Sequence, residues 1–505
     1  MDKSHIYSAT RPIQTLDNSS ILWGFILRSV AQSLHSSMLS PPFILGRSAL
    51  PLLLCTLLSA CAAVGPNYHP PVTEQLAVPS QWQAALPHDG DTGQLLSWWA
   101  KLQDASLNRL LQAAEASNPS LQKAAANIAS ARASVTTARA SYQPTLTGSA
   151  SASRGNTLGS AQTTTSGGLD ASWEIDLFGS VRRSAESADA LLQARQADWH
   201  DARVSLAAEV ATDYVTYRAC QLTLQTMQSS ALSNQATARI TQRSWQAGMT
   251  ARADADLADA SAASASASAI AQQAECDVTI KALVALTGLA EPELRQLLDT
   301  QPPRLPSSNS LAVQTLPVDL LSQRPDVVSA ERALASASAK IGVAEADRYP
   351  RLSLTGSLSS SRTDGVDTTP WSFGPSLSLP LLNGGAKRAA VDSAQAAYDL
   401  ALATYQQSVR TAVQEVEQNL VQQDSAERRT ADVRRSAEGY RAYASAVEAN
   451  WRAGGDSLLN LEVARRNAIT AEQSLITVQR DQLLYGIALY KAVGGGWSVS
   501  LGDAK

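Results

Sequence analysis

The sequence WQAG at residues 245–248 recurs as WRAG at residues 451–454. Other landmark residues repeat with the same offset along the chain. They are Pro119 and Pro325, Pro144 and Pro350, and Gly288 and Gly494. A constant offset between landmarks indicates a repeated structural unit. The body of the chain is therefore predicted to contain two copies of one unit, joined by a connector.

Stretches without glycine or proline predict the helices of each copy, because these two residues interrupt helical segments. The clean or nearly clean runs are Ser120–Gln143, Ser180–Ala247 and Met249–Thr287, and then Asp326–Tyr349, Ala386–Ala453 and Asp456–Val493. The longest run of the second copy keeps an apolar stripe at helical spacing, which includes Tyr405, Val409 and Val416. The two longest runs each predict a helix of about 100 Å.

Between the helices, apolar residues alternate with Ser, Thr, Asp and Glu, which predicts strands with one apolar face. The predicted strands span approximately residues 144–154, 165–178, 351–360 and 371–381. Strands of this kind are typical of a transmembrane β-barrel, and a soluble hairpin packed on the helices is the alternative. Four strands cannot close a barrel, and eight leave an interior filled by side chains. We therefore predict a trimer with a 12-stranded β-barrel, continued by an α-barrel of long antiparallel hairpins.

These patterns divide the chain into six parts. They are a signal region (1–60), an N-terminal anchor and equatorial segment (61–118), a first repeat (119–288), an equatorial connector (289–324), a second repeat (325–494) and a C-terminal tail (495–505). Each repeat is predicted to run helix, strand, strand, long helix, helix. The fold class is therefore mostly α with a small β-barrel.

Composition and inventory exclude several function classes. The chain has 505 residues, a net charge of −4 and 17% charged residues, which gives no sign of a nucleic-acid partner. The five histidines lack the spacing of a metal site, and no nucleophile triad or phosphate-binding loop occurs. We expect a protein that is not an enzyme and that uses no metal and no cofactor.

The sequence LSAC at residues 58–61 follows a short apolar run behind Arg47, which is typical of a secretory signal. LSAC resembles the bacterial lipobox, and this implies cleavage before Cys61 and a covalent lipid on its thiol. An ordinary signal peptide with an incidental cysteine is the alternative. Met38 is a candidate start, and residues 1–37 would then be an upstream artefact. After Cys61 no stretch has the ~18 apolar residues of a spanning helix, so any membrane crossing would use strands.

Four stretches together carry a resemblance to a known family. They are LSACAAVGPNYHPP (58–71), SWWAKLQDASLNRLLQAAEASNPSLQKAAANI (97–128), LLSQRPDVVSAE (320–331) and WRAGGDSLLNLEVARR (451–466). They resemble the TolC/OprM outer-membrane efflux family, and within it the lipoprotein NodT-type branch. The resemblance implies a homotrimer whose β-barrel in outer-membrane lipid continues into a helical tunnel through the periplasm. It also implies two partners, a periplasmic adaptor protein and an inner-membrane pump, often of the RND class.

The function that the resemblance implies is passive export of small molecules, such as drugs and toxic organics, across the outer membrane. Type I protein secretion through the same fold is one alternative, because lumen width and partner decide between the two. A lipid-anchored helical spacer without a pore is a second alternative, although such a spacer would not need four strands with an apolar face.

The resemblance places the two WxAG turns at the periplasmic mouth, where the family closes its gate and meets its adaptor. Gly248 and Gly454 permit a tight reversal between antiparallel helices. This turn requirement alone accounts for both glycines, so their contact with an adaptor rests on the resemblance.

Related channels carry a Leu-x-x-x-Asp-x-x-Arg pattern just past the second turn, and Leu459, Val463 and Arg466 occupy its places here. The carboxylate lies one position earlier, at Glu462, and one residue rotates a helical side chain by about 100°. Two outcomes are implied. Either Glu462 faces a neighbouring element, or Leu459 and Val463 form an apolar constriction instead.

Asp254, Asp256 and Asp259 crowd the corresponding turn of the first copy. Carboxylates contributed by three copies to one mouth would favour cations. The alternative is a solvated acidic end of a helix near its N-terminus.

Cys220 and Cys276 are equally far along the chain from Gly248, on opposite sides of the turn. In an antiparallel hairpin they lie at the same height, about 42 Å from the tip. They therefore form either a disulfide in the oxidising periplasm or two buried free thiols. We favour the free thiols, since the spacing does not establish that the side chains face each other.

Overall fold

The computed structural model describes residues 63–71, 99, 102–157, 159–307, 321 and 323–495. They belong to one compact unit, Cys61–Lys505. Its elements are α1 (Ala105–Ser117), α2 (Pro119–Ala140), β1 (Thr145–Thr157), β2 (Ser160–Ile175), α3 (Ser180–Gln246), α4 (Arg252–Thr287), α5 (Glu291–Asp299), α6 (Pro325–Ala346), β3 (Arg351–Thr363), β4 (Val366–Thr368), β5 (Trp371–Ser378), α7 (Ala386–Arg452) and α8 (Leu458–Ala492). The predicted signal region, Cys61 and residues 496–505 lie outside the described residues.

The long helices α3 and α7 have 67 residues each and match the two longest clean runs. The shorter helices end earlier than predicted, at Ala140 in α2 and Ala346 in α6. The residues that follow form tight turns, in which Tyr142 N donates to the carbonyl oxygen of Arg139 at 3.1 Å. None of the described helices has the length and apolar character needed to cross a membrane.

The apolar stripe of α7 is buried as predicted, with Tyr405, Val409 and Val416 at most 5% exposed. These residues belong to the main core, which surrounds the middle of the long helices. There α3, α4, α7 and α8 meet the two shorter helices α1 and α5. Packing of the amphipathic faces, rather than helix propensity alone, stabilises helices of this kind.

Helices α1 and α5 lie where the sequence indicated only an equatorial segment and a connector. Asp104 fixes the start of α1, since its Oδ1 accepts a hydrogen bond from Leu107 N at 3.0 Å. Its Oδ2 accepts from Tyr214 OH of α3 at 2.7 Å, and Arg218 Nε donates to the same Tyr214 oxygen at 3.0 Å. Burial raises the pKa of Tyr214, so the phenol remains a hydrogen-bond donor. This buried chain of polar contacts ties α1 to the middle of α3.

Helices α2 and α4 meet end to end beside α3. At this first junction, Ser117 Oγ donates to Thr287 O at 2.7 Å and Asn118 Nδ2 donates to Leu286 O at 3.0 Å. Gly288 follows with φ +67°, a conformation that side chains with a Cβ rarely adopt. The side chains at the end of α1 thus satisfy the free carbonyl groups at the end of α4.

Helices α6 and α8 meet in the same way beside α7. At this second junction, Arg324 Nη1 donates to Ala492 O at 2.9 Å. The same guanidinium pairs with Asp326 and Glu415, both at 2.7 Å, and its side chain is only 8% exposed. Residues 324–326 belong to the stretch LLSQRPDVVSAE, so one of the four stretches that carry the resemblance fastens the start of α6 to the end of α8.

The sheet is antiparallel throughout, in the order β1-β2-β3, with β5 and β4 both paired to the far side of β3. Strand β2 ends at Ile175, before the predicted residue 178, because the Asp176 carboxylate accepts hydrogen bonds from Val181 N and Arg182 N at the start of α3. Strand β5 ends at Ser378, before the predicted residue 381. Pro380 follows and has no amide hydrogen for strand pairing.

Candidate functional site

The sheet has one apolar face and one polar face. Directly opposite residues of antiparallel strands share a face, and the register pairs Leu146 with Ala171, Leu169 with Leu358, Trp173 with Leu354, Leu358 with Trp371, and Leu352 with Leu377. The other face pairs Thr147 with Asp170, Ser172 with Thr355, Glu174 with Ser353, and Ser357 with Ser372. The predicted alternation is therefore continuous over four strands.

The apolar face is open to the surroundings. Trp371 is 76% exposed, Phe373 is 72% exposed and Leu146 is 70% exposed. Strand β1 pairs only with β2, and β5 only with β3, among the strands of the described residues. The sheet thus combines an uncovered apolar face with two edges that lack a hydrogen-bonding neighbour.

The WxAG turns end the long helices with the same hydrogen bonds. Gly248 N donates to Trp245 O and Met249 N donates to Ser244 O, both at 2.8 Å, which is a Schellman arrangement. The second turn repeats this pair of bonds around Gly454. The two glycines have φ values of +73° and +77°, and no atom lies within 4 Å of an added Cβ. Glycine is therefore required here by the backbone conformation and not by a close neighbour.

The three aspartates after the first turn lie on the first residues of α4. Asp254 is half-buried, and Asp256 and Asp259 are exposed. Arg252 Nε lies 3.6 Å from the Asp256 carboxylate, with both side chains at least 70% exposed. An ion pair this exposed contributes at most about 1 kcal/mol to stability. The role of the aspartates at a channel mouth stays a prediction.

The gate candidates after the second turn lie on the first turns of α8. Leu458 and Leu461 are buried against α7 and α4. Leu459 is instead 60% exposed, Val463 is half-buried and Arg466 is exposed. The face of α8 that is buried against the other helices therefore carries Leu458 and Leu461. The three gate candidates lie beside that face and are less buried.

Arg465, which the sequence did not single out, connects the two hairpins through polar contacts. Its Nη1 donates to Asn234 Oδ1 at 3.1 Å and to Thr237 Oγ1 at 2.9 Å, both on α3. It also lies 3.3 Å from the Glu448 carboxylate of α7 and 3.4 Å from that of Glu462. The arginine side chain is 10% exposed. Glu462 therefore faces Arg465 on its own helix.

A sequence signal for Arg465 existed. Leu458, Leu461 and Arg465 follow each other at spacings of three and four residues, which places them on one face of a helix. A charged residue in line with an apolar stripe is expected to find buried polar partners. The arginine place of the related channels' pattern falls on Arg466, one position further along α8.

The structure joins Cys220 of α3 and Cys276 of α4 in a disulfide, with a Cα–Cα distance of 5.6 Å. It thus differs from the two free thiols that we favoured from the sequence. Cys276 shares the buried face of α4 with Ile280 and Leu283, and this face packs against α3. Gln272 Nε2 donates a hydrogen bond to Cys220 Sγ at 2.9 Å. Packing of the hairpin supplies the facing orientation that spacing could not establish.

The part of the chain that the structure describes contains no group of three or more His, Cys, Asp or Glu side chains able to hold a metal ion. The predicted lipid-bearing Cys61 is outside that part. Its segment continues into residues 63–71, which lie against the start of α3, since Val64 N donates to Phe178 O at 3.0 Å.

A sequence model described as "Outer membrane efflux protein" matches residues 110–289 and 316–495. The chain belongs to the outer membrane efflux protein family. The resemblance noted in the sequence is thereby confirmed.

Two similar proteins each cover almost the whole chain. The solvent efflux pump outer membrane protein SrpC of Pseudomonas putida is 31% identical over 480 residues, which is 90% of this chain and 99% of SrpC. Nodulation protein T of Rhizobium leguminosarum bv. trifolii is 31% identical over 455 residues, which is 88% of this chain and 96% of that protein.

The solved structure of the outer-membrane channel OprN has the same fold. Its TM-score is 0.77 at 32% identity, and the match covers 86% of this chain and all of that chain. The prediction of a mostly helical fold with a small sheet is therefore confirmed. As a member of this family, the chain is an outer-membrane efflux protein.

Proposed function

We propose that the chain is the outer-membrane channel of a tripartite efflux system and acts as a homotrimer. The observation that carries the proposal is the small sheet, which has one apolar face, one polar face and two edges that pair with no other strand of the described residues. In the proposal, the apolar face lies against lipid and the polar face lines a water-filled lumen.

The unpaired edges require further copies of the chain. An open strand edge is not tolerated in lipid, because its amide and carbonyl groups lack partners. Pairing β1 of one copy with β5 of the next closes a ring of identical interfaces. When β4 and β5, which pair with successive stretches of β3, are counted as one strand position, three copies give twelve strands. A smaller barrel of eight would be filled by its own side chains.

The helices support the same ring. Helix α4 packs mainly on α3, and α7 packs on α6 and α8, so α4 and α7 lie at opposite edges of the described unit. Both edges expose large apolar side chains: Ile270 (69%) and Val278 (63%) on α4, and Leu400 (70%) and Val421 (58%) on α7. Contact between α4 of one copy and α7 of the next would remove these side chains from water. The helices would then form a tunnel below the barrel.

The substrates in this proposal are small organic molecules, including drugs and toxic solvents, that move passively through the lumen. The similarity to a solvent efflux pump component supports this class. The energy would come from an inner-membrane pump of the RND class, connected by a periplasmic adaptor at the WxAG turns. The exposed positions of Gly248 and Gly454, at the ends of both hairpins, support such a contact.

The lipid on Cys61 would add an anchor in the outer membrane. The sequence LSAC at residues 58–61 supports this modification. Incorporation of labelled palmitate into the wild type, but not into Cys61→Ser, tests it.

The gate in this proposal is the end of the second hairpin. Arg465 holds α8 to α3 and α7, so opening of the mouth would require its contacts to break. Leu459 and Arg466 are exposed in one chain. They are therefore available to contact a neighbouring copy or the passing substrate.

Two adjacent residues of β5 test the barrel. Phe373 lies on the apolar face and Ser372 on the polar face. An arginine facing lipid costs roughly 2–4 kcal/mol near the middle of the membrane. We therefore expect Phe373→Arg to lower the amount of assembled trimer strongly, whereas Ser372→Arg preserves the trimer and changes its conductance. The measurements are native mass in detergent and conductance in planar bilayers.

A monomeric wild type, or equal trimer yields for the two variants, would contradict the barrel.

An export experiment distinguishes efflux of small molecules from protein secretion. Cells that lack their own efflux channel should regain tolerance to organic solvents when they express this chain with its adaptor and pump. Restored protein secretion without restored tolerance would instead support the type I alternative.

A further inference from the structure

A cleft of about 570 Å³ opens just below the sheet. Its walls come from the ends of α2 and α3, from α6 and from the N-terminal segment 63–71. Four arginines line it: Arg139, Arg182, Arg183 and Arg332. Glu186 and Asp189 are the two carboxylates in its lining. The cleft is therefore polar and carries more cations than anions.

Three of the four arginines have carboxylate partners. Arg139 donates to both carboxylate oxygens of Asp189, at 2.9 and 3.0 Å. Arg183 pairs with Glu186 at 2.8 Å, and Arg332 pairs with Glu331 at 3.0 Å.

Arg182 supplies the excess positive charge. Its side chain is exposed, and its backbone amide is the group that bonds to Asp176. Arg139 is 61% exposed despite its pair, so both guanidinium groups are open to a ligand.

The N-terminal segment forms one wall because Arg183 holds it. Arg183 Nε donates to Val64 O and Nη2 donates to Gly65 O, both at 3.2 Å. Its Nη2 also donates to Asn67 Oδ1 at 2.8 Å. A Cβ on Gly65 would lie 2.4 Å from Gly342 Cα, so the segment lies directly on α6. The wall is therefore built into the fold.

The cleft adjoins the apolar face of the sheet through Tyr142 and Trp173. Tyr142 lines the cleft and is 44% exposed. Its carbonyl oxygen accepts a hydrogen bond at 3.0 Å from Trp173 Nε1, and Trp173 belongs to the apolar face. Arg182 is only two residues from the first residue of α3, which follows the sheet directly. If the apolar face lies against lipid, the cleft lies at the depth of the lipid headgroups.

We propose that this cleft binds the phosphate headgroup of an anionic phospholipid from the periplasmic leaflet of the outer membrane. The inference rests on the orientation of the sheet in the proposed function. Arg139 and Arg182 would bind the phosphate oxygens, because guanidinium groups match phosphate geometry with paired hydrogen bonds. Tyr142 would lie at the boundary, with its ring toward the acyl chains and its hydroxyl toward the headgroup. The acyl chains would extend along Leu146 and the rest of the apolar face.

The test compares a double variant, Arg139→Ala with Arg182→Ala, with a control variant, Arg195→Ala. Arg195 is also on α3, is 44% exposed and pairs with Asp198, but it lies roughly 20 Å along the helix from Arg182, outside the cleft. Native mass spectrometry of the detergent-extracted full chain measures bound phosphatidylglycerol over a titration. We expect the double variant to weaken binding roughly ten- to hundredfold, as for the loss of charge-assisted hydrogen bonds, and Arg195→Ala to leave it unchanged.

Inorganic phosphate and dioleoyl phosphatidylcholine are the comparison ligands. We expect phosphatidylglycerol to bind more tightly than either, because it combines net negative charge with acyl chains. Equal binding of phosphatidylglycerol by all variants would overturn the proposal, and so would inorganic phosphate that binds as tightly as the lipid. The oligomeric mass is read in the same spectra, so a failure of trimer formation is separate from a failure of lipid binding.

Discussion

Removal of the Cys220–Cys276 disulfide should lower the stability of the chain by an amount that the loop length sets. The bond joins residues with a sequence separation of 56. The chain-entropy relation for a loop of this length gives about 4 kcal/mol at 25 °C. Average unfolding entropies of about 2 cal/mol/K per residue, applied to the unit Cys61–Lys505, convert this loss into a fall of roughly 4–5 °C in melting temperature.

The assay is thermal unfolding of the detergent-extracted protein, with and without reductant, for the wild type and for the double variant Cys220→Ala, Cys276→Ala. Reductant should lower the wild-type midpoint and leave the double variant unchanged, which makes the variant its own control. The second hairpin carries Ala426 and Gln482 at the corresponding positions, so no other pair of the two hairpins should respond. Two thiols that alkylate without reductant, in folded wild-type protein, would refute the reasoning at its first step.

Three further predictions concern the hairpin ends and one surface contact. Arg465→Met removes hydrogen bonds to α3 and leaves buried polar groups unpaired, so we expect a loss of about 2–4 kcal/mol and a larger resting conductance in bilayers. Gly248→Ala and Gly454→Ala each force a side chain into positive φ without a steric clash, so each should cost only about 1–2 kcal/mol in thermal or denaturant unfolding. The hydrogen bond from Arg295 holds the pKa of Asp277 below its usual value. The pair therefore stabilises the folded chain above about pH 4, and this stabilisation is lost as the pH falls through the lowered pKa of Asp277. The stability difference between the wild type and Arg295→Ala should therefore shrink in acid, and it should stay below about 1 kcal/mol because the pair is exposed.

Each of these predictions has an outcome that would contradict it, and the first also has a control variant. Arg435→Met replaces an arginine of α7 that is 79% exposed, and it should leave the resting conductance unchanged. An equal rise in resting conductance for Arg435→Met and Arg465→Met would show that the buried contacts of Arg465 do not keep the channel closed. A loss of several kcal/mol in Gly248→Ala would indicate a contact at the turn beyond the backbone requirement. A stability difference for Arg295→Ala that grows in acid would contradict the assigned direction of the Asp277 pKa.

The long helices and the strands were predictable because their signals are local. Glycine and proline limit the runs that became α3 and α7, and the alternation from Leu169 to Ile175 survives unchanged in the sheet. The ends of the elements were less predictable. Strand β2 ends where the Asp176 carboxylate accepts hydrogen bonds from the backbone at the start of α3. The alternating pattern of apolar and polar residues does not reveal such a helix cap.

The site was predictable only in part, because three of its features depend on how helices pack. Arg465 and Arg466 differ by one position, and the packing of α8 on α3 and α7 decides which of them is buried. The Cys220–Cys276 bond depends on the rotation of α4 against α3. The helix α1 forms where Asp104 finds Tyr214, more than one hundred residues away in the sequence. Such contacts form only in the tertiary structure, and a short stretch of sequence around one of the residues does not predict them.

The placement of the two helix junctions has a mechanical consequence. The break between α4 and α2 lies beside the uninterrupted α3, and the break between α8 and α6 lies beside the uninterrupted α7. Each joint is thus splinted by a continuous rod about 100 Å long. A pull or push applied at the WxAG ends travels to the sheet along unbroken backbone hydrogen-bond ladders, without crossing a joint. To bend the wall at the level of the joints, a load must deform α3 or α7, so the segmented wall keeps the stiffness of its longest members.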